Sequence, residues 1–177
     1  MVWRNIMLRV FLYISPIIYM AVVSHIIDAL PSAFVSDAFK LVALFPIFEE
    51  VFKYVVTRNF SNHAFGVIFA FGIWEVLILK LGLILTRESS AEMAILIVYS
   101  FVALNFHVST AFAYVQSNKS NRLVICFVSC LLLHILFNSM TFILDMLFYF
   151  VASIVISITP LALLAKRFSS KYRVSNL

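Results

Sequence analysis

Three glutamates and two histidines stand where an apolar chain has little use for them. Glu49, Glu50 and Glu75 lie inside long hydrophobic segments, and so do His107 and His134. Glu49 and Glu50 precede Lys53 at i+4 and i+3, so on a helix the three sit within about one turn. Asn138 follows His134 by four residues and shares its helix face. A carboxylate withdrawn from water suits a general base working near neutrality. Glu49 or Glu50 would then activate a water, while Lys53 holds the other acid ionised and fixed. His134 and Asn138 are candidates to donate hydrogen bonds to a developing oxyanion. The same side chains offer a second version, in which Glu49, Glu75, His107 and His134 bind a divalent metal, zinc by ligand type, with a position open for water. Both versions describe hydrolysis of an amide or similar bond, and spacing alone does not choose between them.

The elements that must position these residues are membrane-spanning helices. The chain has 177 residues, of which 64% are hydrophobic and 12% charged, and its mean hydropathy is +1.07. Soluble domains are roughly 45–50% apolar and about a quarter charged. A small globule leaves too much of its surface in water to hide such a composition. That excludes a cytosolic enzyme, a disordered chain and a disulfide-stapled secreted module. The expectation is an all-α polytopic membrane protein, one transmembrane domain built as a bundle of about six helices. A span needs about 20 apolar residues, and the segments fall at about 10–30, 39–57, 63–85, 91–116, 123–143 and 147–165. The first has too long an apolar stretch for a signal peptide, and no small-x-small cleavage site follows it. The last two come from dividing the stretch 123–165, about 65 Å as one helix, at its one charge, Asp145.

Charge sets the expected orientation. With the N-terminus inside, Arg4, Arg9, Arg58, Lys119, Arg122, Lys166, Arg167, Lys171 and Arg173 fall on the cytoplasmic side, with Lys53 near it, leaving Lys40, Lys80 and Arg87 outside. An even number of spans returns the C-terminus to the cytoplasm. The net charge of +5 is therefore a topology signal and not a nucleic-acid footprint. The basic tail is suited to anionic lipid head groups. Five of the eight acids, Asp28, Asp37, Glu88, Glu92 and Asp145, mark outer loops. The other three are the glutamates above. A charge near the centre of a bilayer costs about 2.5–3.5 kcal/mol on insertion scales, so such residues face the bundle and mark function. At about 1.5 Å per residue, Glu49 lies about 14 Å from the cytoplasmic edge, and Glu75, His107 and His134 each about 18 Å. Four helices thus bring acid or imidazole to nearly one level. Pro46, three residues before Glu49, should kink the second span and free a carbonyl.

These residues carry a family resemblance. Glu49-Glu50-Val51-Phe52-Lys53 resembles the EExxK motif of the PrsW-type intramembrane proteases, and Phe71-Gly72-Ile73-Trp74-Glu75 resembles their FxxxE motif. His107 and the segment His134-Ile135-Leu136-Phe137-Asn138 are similar to the two later histidine motifs. The related CAAX-processing and bacteriocin-processing (CPBP) membrane proteases share the diglutamate and the HxxxN pattern. Their EExxxR motif has Tyr54 at the arginine position here, and Glu75 stands where they have histidine, so Lys53 favours the PrsW-like branch. Asn138 departs the other way, since PrsW-like proteins often carry Asp there. The resemblance covers residues 45–140. It implies proteolysis of membrane-embedded or juxtamembrane substrates, such as a single-span anti-sigma factor. By position it implies Glu49 as water-activating base, Glu50 and Lys53 as support, and Glu75, His107 and His134 as the rest of the site, with the metal left open. The compact architecture without organelle signals suggests a prokaryotic inner membrane.

Plainer roles stand beside each of these. Glu50 with Lys53 also reads as a neutralised pair that helps helices pack, Glu75 as an interhelical hydrogen-bonding group, His107 as a satisfied core histidine, and His134 with Asn138 as helix–helix glue. Cys126 and Cys130, one turn apart, read as small packing residues. Two other functions use the same acids. One is a proton- or cation-coupled transporter or channel, though internal repeats with broken helices are absent from the sequence. The other is a non-catalytic immunity or scaffold protein of the same fold.

Overall fold

The computed structural model describes residues 2–31, 35–77 and 90–143, together with Val151 and Val155. Among the described residues every regular element is a helix: α1 (Val2–Asp28), α2 (Asp37–Phe39), a π-helical stretch (Lys40–Leu44), α3 (Phe45–Asn59), α4 (Ala64–Glu75), α5 (Ser90–Lys119) and α6 (Leu123–Ile143). Among the described residues two stretches, Ile6–Asp28 and Leu96–Lys119, are long and apolar enough to cross a membrane; Ala64–Glu75 and Leu123–Ser139 are shorter apolar helices. The expected sixth span, the turn at Asp145, the end of the third span beyond residue 77, Lys80, the loop at Arg87–Ser89 and the basic tail lie outside the described residues.

The expected second span is one continuous course of three pieces, and its breaks have local causes. Ser36 caps the start by accepting from the Phe39 amide at 3.2 Å, and Asp37 adds an acid to the positive end while reaching Lys40 at 3.2 Å. The ladder then widens, so that the Phe45 amide reaches back five residues to the Lys40 carbonyl. The next such bond would run from residue 46 to the Leu41 carbonyl. Residue 46 is proline and has no N–H to give. The side-chain amide of Asn138 donates to that carbonyl instead, at 3.0 Å. The carbonyl freed by Pro46 is thus taken up by α6.

Polar punctuation ends the other helices. After Lys119 the chain turns through Asn121, the one non-glycine residue with positive φ (56°) among those described. The Arg122 amide reaches back to the Ser117 carbonyl at 2.9 Å. This is a Schellman-type stop, and Asn tolerates its left-handed position.

Packing gathers α3 to α6 around the middle of the chain, with α1 laid chiefly against α4. One buried cluster joins Ile68, Ala111, Tyr114, Leu123, Cys126 and Cys130 from α4, α5 and α6. Both cysteines are free and buried, with their sulfurs 3.8 Å apart. A second cluster joins Leu12, Val56, Ala64 and Val67 from α1, α3 and α4, and the Trp74 indole ties α4 to the Tyr13 carbonyl at 3.2 Å. Two glycines let α4 approach its neighbours. A Cβ on Gly66 would lie 2.5 Å from the Tyr13 hydroxyl, and one on Gly72 would lie 2.7 Å from the Cβ of His107. Outward faces are largely hydrocarbon, including Met7, Phe11, Val124, Ile125 and Leu132.

Candidate active site

Four helices meet around two adjacent glutamates. Glu49, Glu50 and Lys53 come from α3, Glu75 from α4, His107 from α5 and His134 from α6. Successive residues of a helix point about 100° apart, so Glu49 and Glu50 face different surroundings although they are neighbours in sequence.

Glu50 is wholly buried and fully engaged. Its Oε1 receives Lys53 Nζ at 2.6 Å and His134 Nδ1 at 3.0 Å. Its Oε2 accepts from the Tyr114 hydroxyl at 2.9 Å, and that hydroxyl also lies 3.3 Å from the Glu50 carbonyl. Lys53 is equally buried, and its ammonium lies 5.7 Å from the Phe106 ring and 6.0 Å from the Phe71 ring. A carboxylate paired with a lysine only accepts hydrogen bonds, so His134 Nδ1 carries the hydrogen. In the neutral ring, Nε2 is then left with its lone pair toward Glu49, 3.7 Å away. Phe106 supports the imidazole from the side, with ring centroids 4.9 Å apart.

Glu49 is the opposite case. Its side chain is 14% exposed, yet its Oε2 is buried and has no hydrogen-bond partner among the described residues. Glu75 Oε2 and His107 Nε2 form a close pair at 2.5 Å. His107 is buried, and its Nδ1 is likewise without a hydrogen-bond partner. Glu49, Glu75 and His107 each present a donor atom within 4.8 Å of the other two. Two carboxylate oxygens and an imidazole nitrogen, one oxygen uncommitted, are a donor set that fits a zinc-type ion. His134 stands beside this group, with Nδ1 held by Glu50 and Nε2 toward Glu49.

The residues singled out in the sequence thus fall into three settings. Glu49, Glu75, His107 and the Nε2 edge of His134 form an open half, Glu50 and Lys53 a closed half, and Asn138 donates its amide to the Leu41 carbonyl. The polar neighbours of His107 on α5 turn back on their own helix, Ser109 to the Asn105 carbonyl and Thr110 to that of His107.

Sequence reasoning missed four contributors. Tyr114 fixes Glu50; it lies seven residues, two helical turns, beyond His107, so helix periodicity offered a signal. Gly72 makes room for His107, and Phe106 flanks His134. Tyr19 of α1 donates from its hydroxyl to the Phe48 carbonyl at 2.6 Å, beside Glu49. Glu49 also lines a cavity of about 350 Å³ between α1 and the α3–α4 pair. Comparison of the chain with protein-family models, curated proteins and solved structures returns no match.

Proposed function

We propose that this chain is a polytopic membrane protein of about six spans, with both termini in the cytoplasm, that hydrolyses peptide bonds of membrane-embedded or juxtamembrane substrates. The observation that carries the reading is the asymmetry of the two glutamates. Glu50 has every hydrogen bond it needs, whereas the buried Glu49 Oε2 has no hydrogen bond among the described residues, and the partly exposed Glu49 side chain lines a cavity. A purely structural acid would be placed like Glu50, because a buried polar atom without a partner costs about 1–3 kcal/mol. In the proposed site the partly exposed Glu49 carboxylate holds the nucleophilic water.

In the proposed reaction Glu49 takes a proton from that water as its oxygen attacks the peptide carbonyl carbon. The same carboxyl then returns the proton to the leaving amide nitrogen as the C–N bond breaks. Glu50 and Lys53 act one step back. They hold His134 in one tautomer, so its Nε2 faces the reaction centre. Glu75 holds the His107 ring from the other side, by its Nε2. If the reaction uses a metal, Glu49, Glu75, His107 and His134 are the residues that would hold it, and a zinc ion there would polarise the carbonyl and the water. A single-span anti-sigma factor in a prokaryotic inner membrane is the substrate type that the motif resemblance suggests.

The test is cleavage of a purified single-span membrane protein by the reconstituted chain. Wild type should cleave it and Glu49→Gln should not. Loss in chelator with return on adding zinc would assign the metal version. Cleavage that survives Glu49→Gln would remove Glu49 as base. Ion flux through vesicles without cleavage would favour the transport reading of the same Glu/His cluster, and identical inactivity of wild type and variant would favour a scaffold.

A further inference from the structure

The cavity beside Glu49 has a composition that defines what fits it. Ile17, Met20 and Val23 of α1 form one wall, and Phe45 and Phe71 stand on the other side. Its polar lining is already committed apart from one group. The Tyr19 hydroxyl is spent on the Phe48 carbonyl at 2.6 Å, and the Ser24 hydroxyl lies 3.4 Å from Asp28 Oδ2. That leaves Glu49, the one acid among the described residues lining the space, with its side chain partly exposed. An occupant must therefore be hydrocarbon over most of its surface and bring one polar group to one carboxylate.

Volume narrows it further. The cavity holds about 350 Å³. A dry apolar cavity of about 150 Å³ admits benzene, and a water takes about 30 Å³. The space therefore takes one large apolar side chain, a short piece of main chain and a water.

We infer that the cavity between α1 and the α3–α4 pair is the side-chain pocket for the substrate, and that it selects a bulky apolar residue next to the scissile bond. This rests on the hydrolytic reading of the site and adds the substrate class. The side chain settles among Ile17, Met20 and Phe45, which brings the adjoining peptide bond to Glu49. Ala21, exposed and also in the cavity wall, sets how much room is left.

The experiment compares kcat/KM on one single-span substrate carrying Phe, Ala or Lys beside the cleaved bond. Wild type should favour Phe over Ala by about 10-fold or more, the scale at which apolar pockets discriminate, and should disfavour Lys. Ala21→Phe should reduce the Phe-to-Ala ratio to about 2-fold or less, because the new ring occupies the space. Both substrates meet the same preparation, so any loss of folded protein cancels from that ratio. Glu49→Gln, given the substrate with a photoreactive benzoyl-phenylalanine at the same position, should cross-link it to Ile17, Met20 or Phe45. Cleavage without side-chain preference, a preference for Lys, a ratio unchanged by Ala21→Phe, or cross-links elsewhere would overturn the pocket while hydrolysis stands. Cross-links at these residues with no cleavage by wild type, with or without zinc, would support the pocket and overturn hydrolysis.

Discussion

Glu49 and Glu50 share a helix, a charge and nearly complete burial, yet the protein treats them in opposite ways. Around Glu50 every polar atom has a partner: Lys53 from the same helix, Tyr114 from α5 and His134 from α6. Around Glu49 the geometry is loose. His134 Nε2 stands 3.7 Å away, Oε2 has no hydrogen bond, and a cavity adjoins it. Buried polar networks stabilise a unique structure when complete and are costly when partial. The closed half therefore holds three helices together, and the open half has what a reaction needs: an uncommitted base, two imidazoles and space. Keeping them one residue apart makes the rigid half the frame of the reactive one.

The largest effect that separates the halves is expected at Glu49. Glu49→Gln should lower kcat for the proposed hydrolysis by about 10²–10⁴-fold, the range for a positioned general base. Its thermal unfolding should stay at or above that of wild type, because no hydrogen bond of Oε2 is lost. If activity and stability fell together, Glu49 would belong with the closed half.

Lys53→Met should do the reverse. Removing one partner from a buried ion pair leaves a bare charge and costs about 3–5 kcal/mol, read as a lower midpoint in detergent unfolding. Adding Glu50→Leu should recover most of that stability, since a well-packed apolar pair often replaces a buried ion pair without loss. Activity should not return with it, because His134 would have lost its Nδ1 acceptor. A double variant that regained activity would show that the closed half does not orient the imidazole.

Tyr114→Phe removes one hydrogen bond to a charged group and should destabilise by about 1.5–3 kcal/mol. It should lower kcat more than it changes KM, because Glu50 acts on the reaction through His134. Gly72→Ala forces a Cβ to within 2.7 Å of the His107 Cβ, so either helix must move. Overpacking of this kind costs about 1–3 kcal/mol. It should loosen the Glu75–His107 pair, which histidine NMR can follow, while leaving Glu50 and Lys53 in place.

Which residues meet was legible in the sequence, because charge is so scarce in this chain that each buried acid stands out. How they divide the work was not. Glu49 and Glu50 are equivalent in type and depth, and only the packing of Tyr114 and His134 decides which of them is satisfied. Tyr114 was hidden for the opposite reason: with 19 Phe, 7 Tyr and 2 Trp in the chain, one more aromatic carries no signal. Helix ends were readable where polar residues cluster, as in the run Ser117–Arg122 before α6. The π-helical stretch was not, since it follows from how the ladder accommodates Pro46 and not from the residues Lys40–Leu44 themselves.

Asn138 gives the smallest effect and the sharpest separation of roles. Its spacing from His134 suggested a donor for an oxyanion, but its amide reaches the Leu41 carbonyl, which Pro46 leaves without a backbone donor. A donor to the oxyanion would, on removal, lower kcat by about 10²–10³-fold with little change in stability. A donor to a stranded carbonyl would, on removal, cost about 1 kcal/mol of stability, and kcat would fall only as far as α3 shifts Glu49 one turn further on. Asn138→Ala is expected to follow the second pattern. Pro46→Ala supplies the missing N–H, so in that background the same substitution should cost less than it does alone, a coupling readable in a double-mutant cycle. If the two substitutions were additive and kcat fell in both backgrounds, the Asn138 amide would belong to the reaction and not to the helix that carries Glu49.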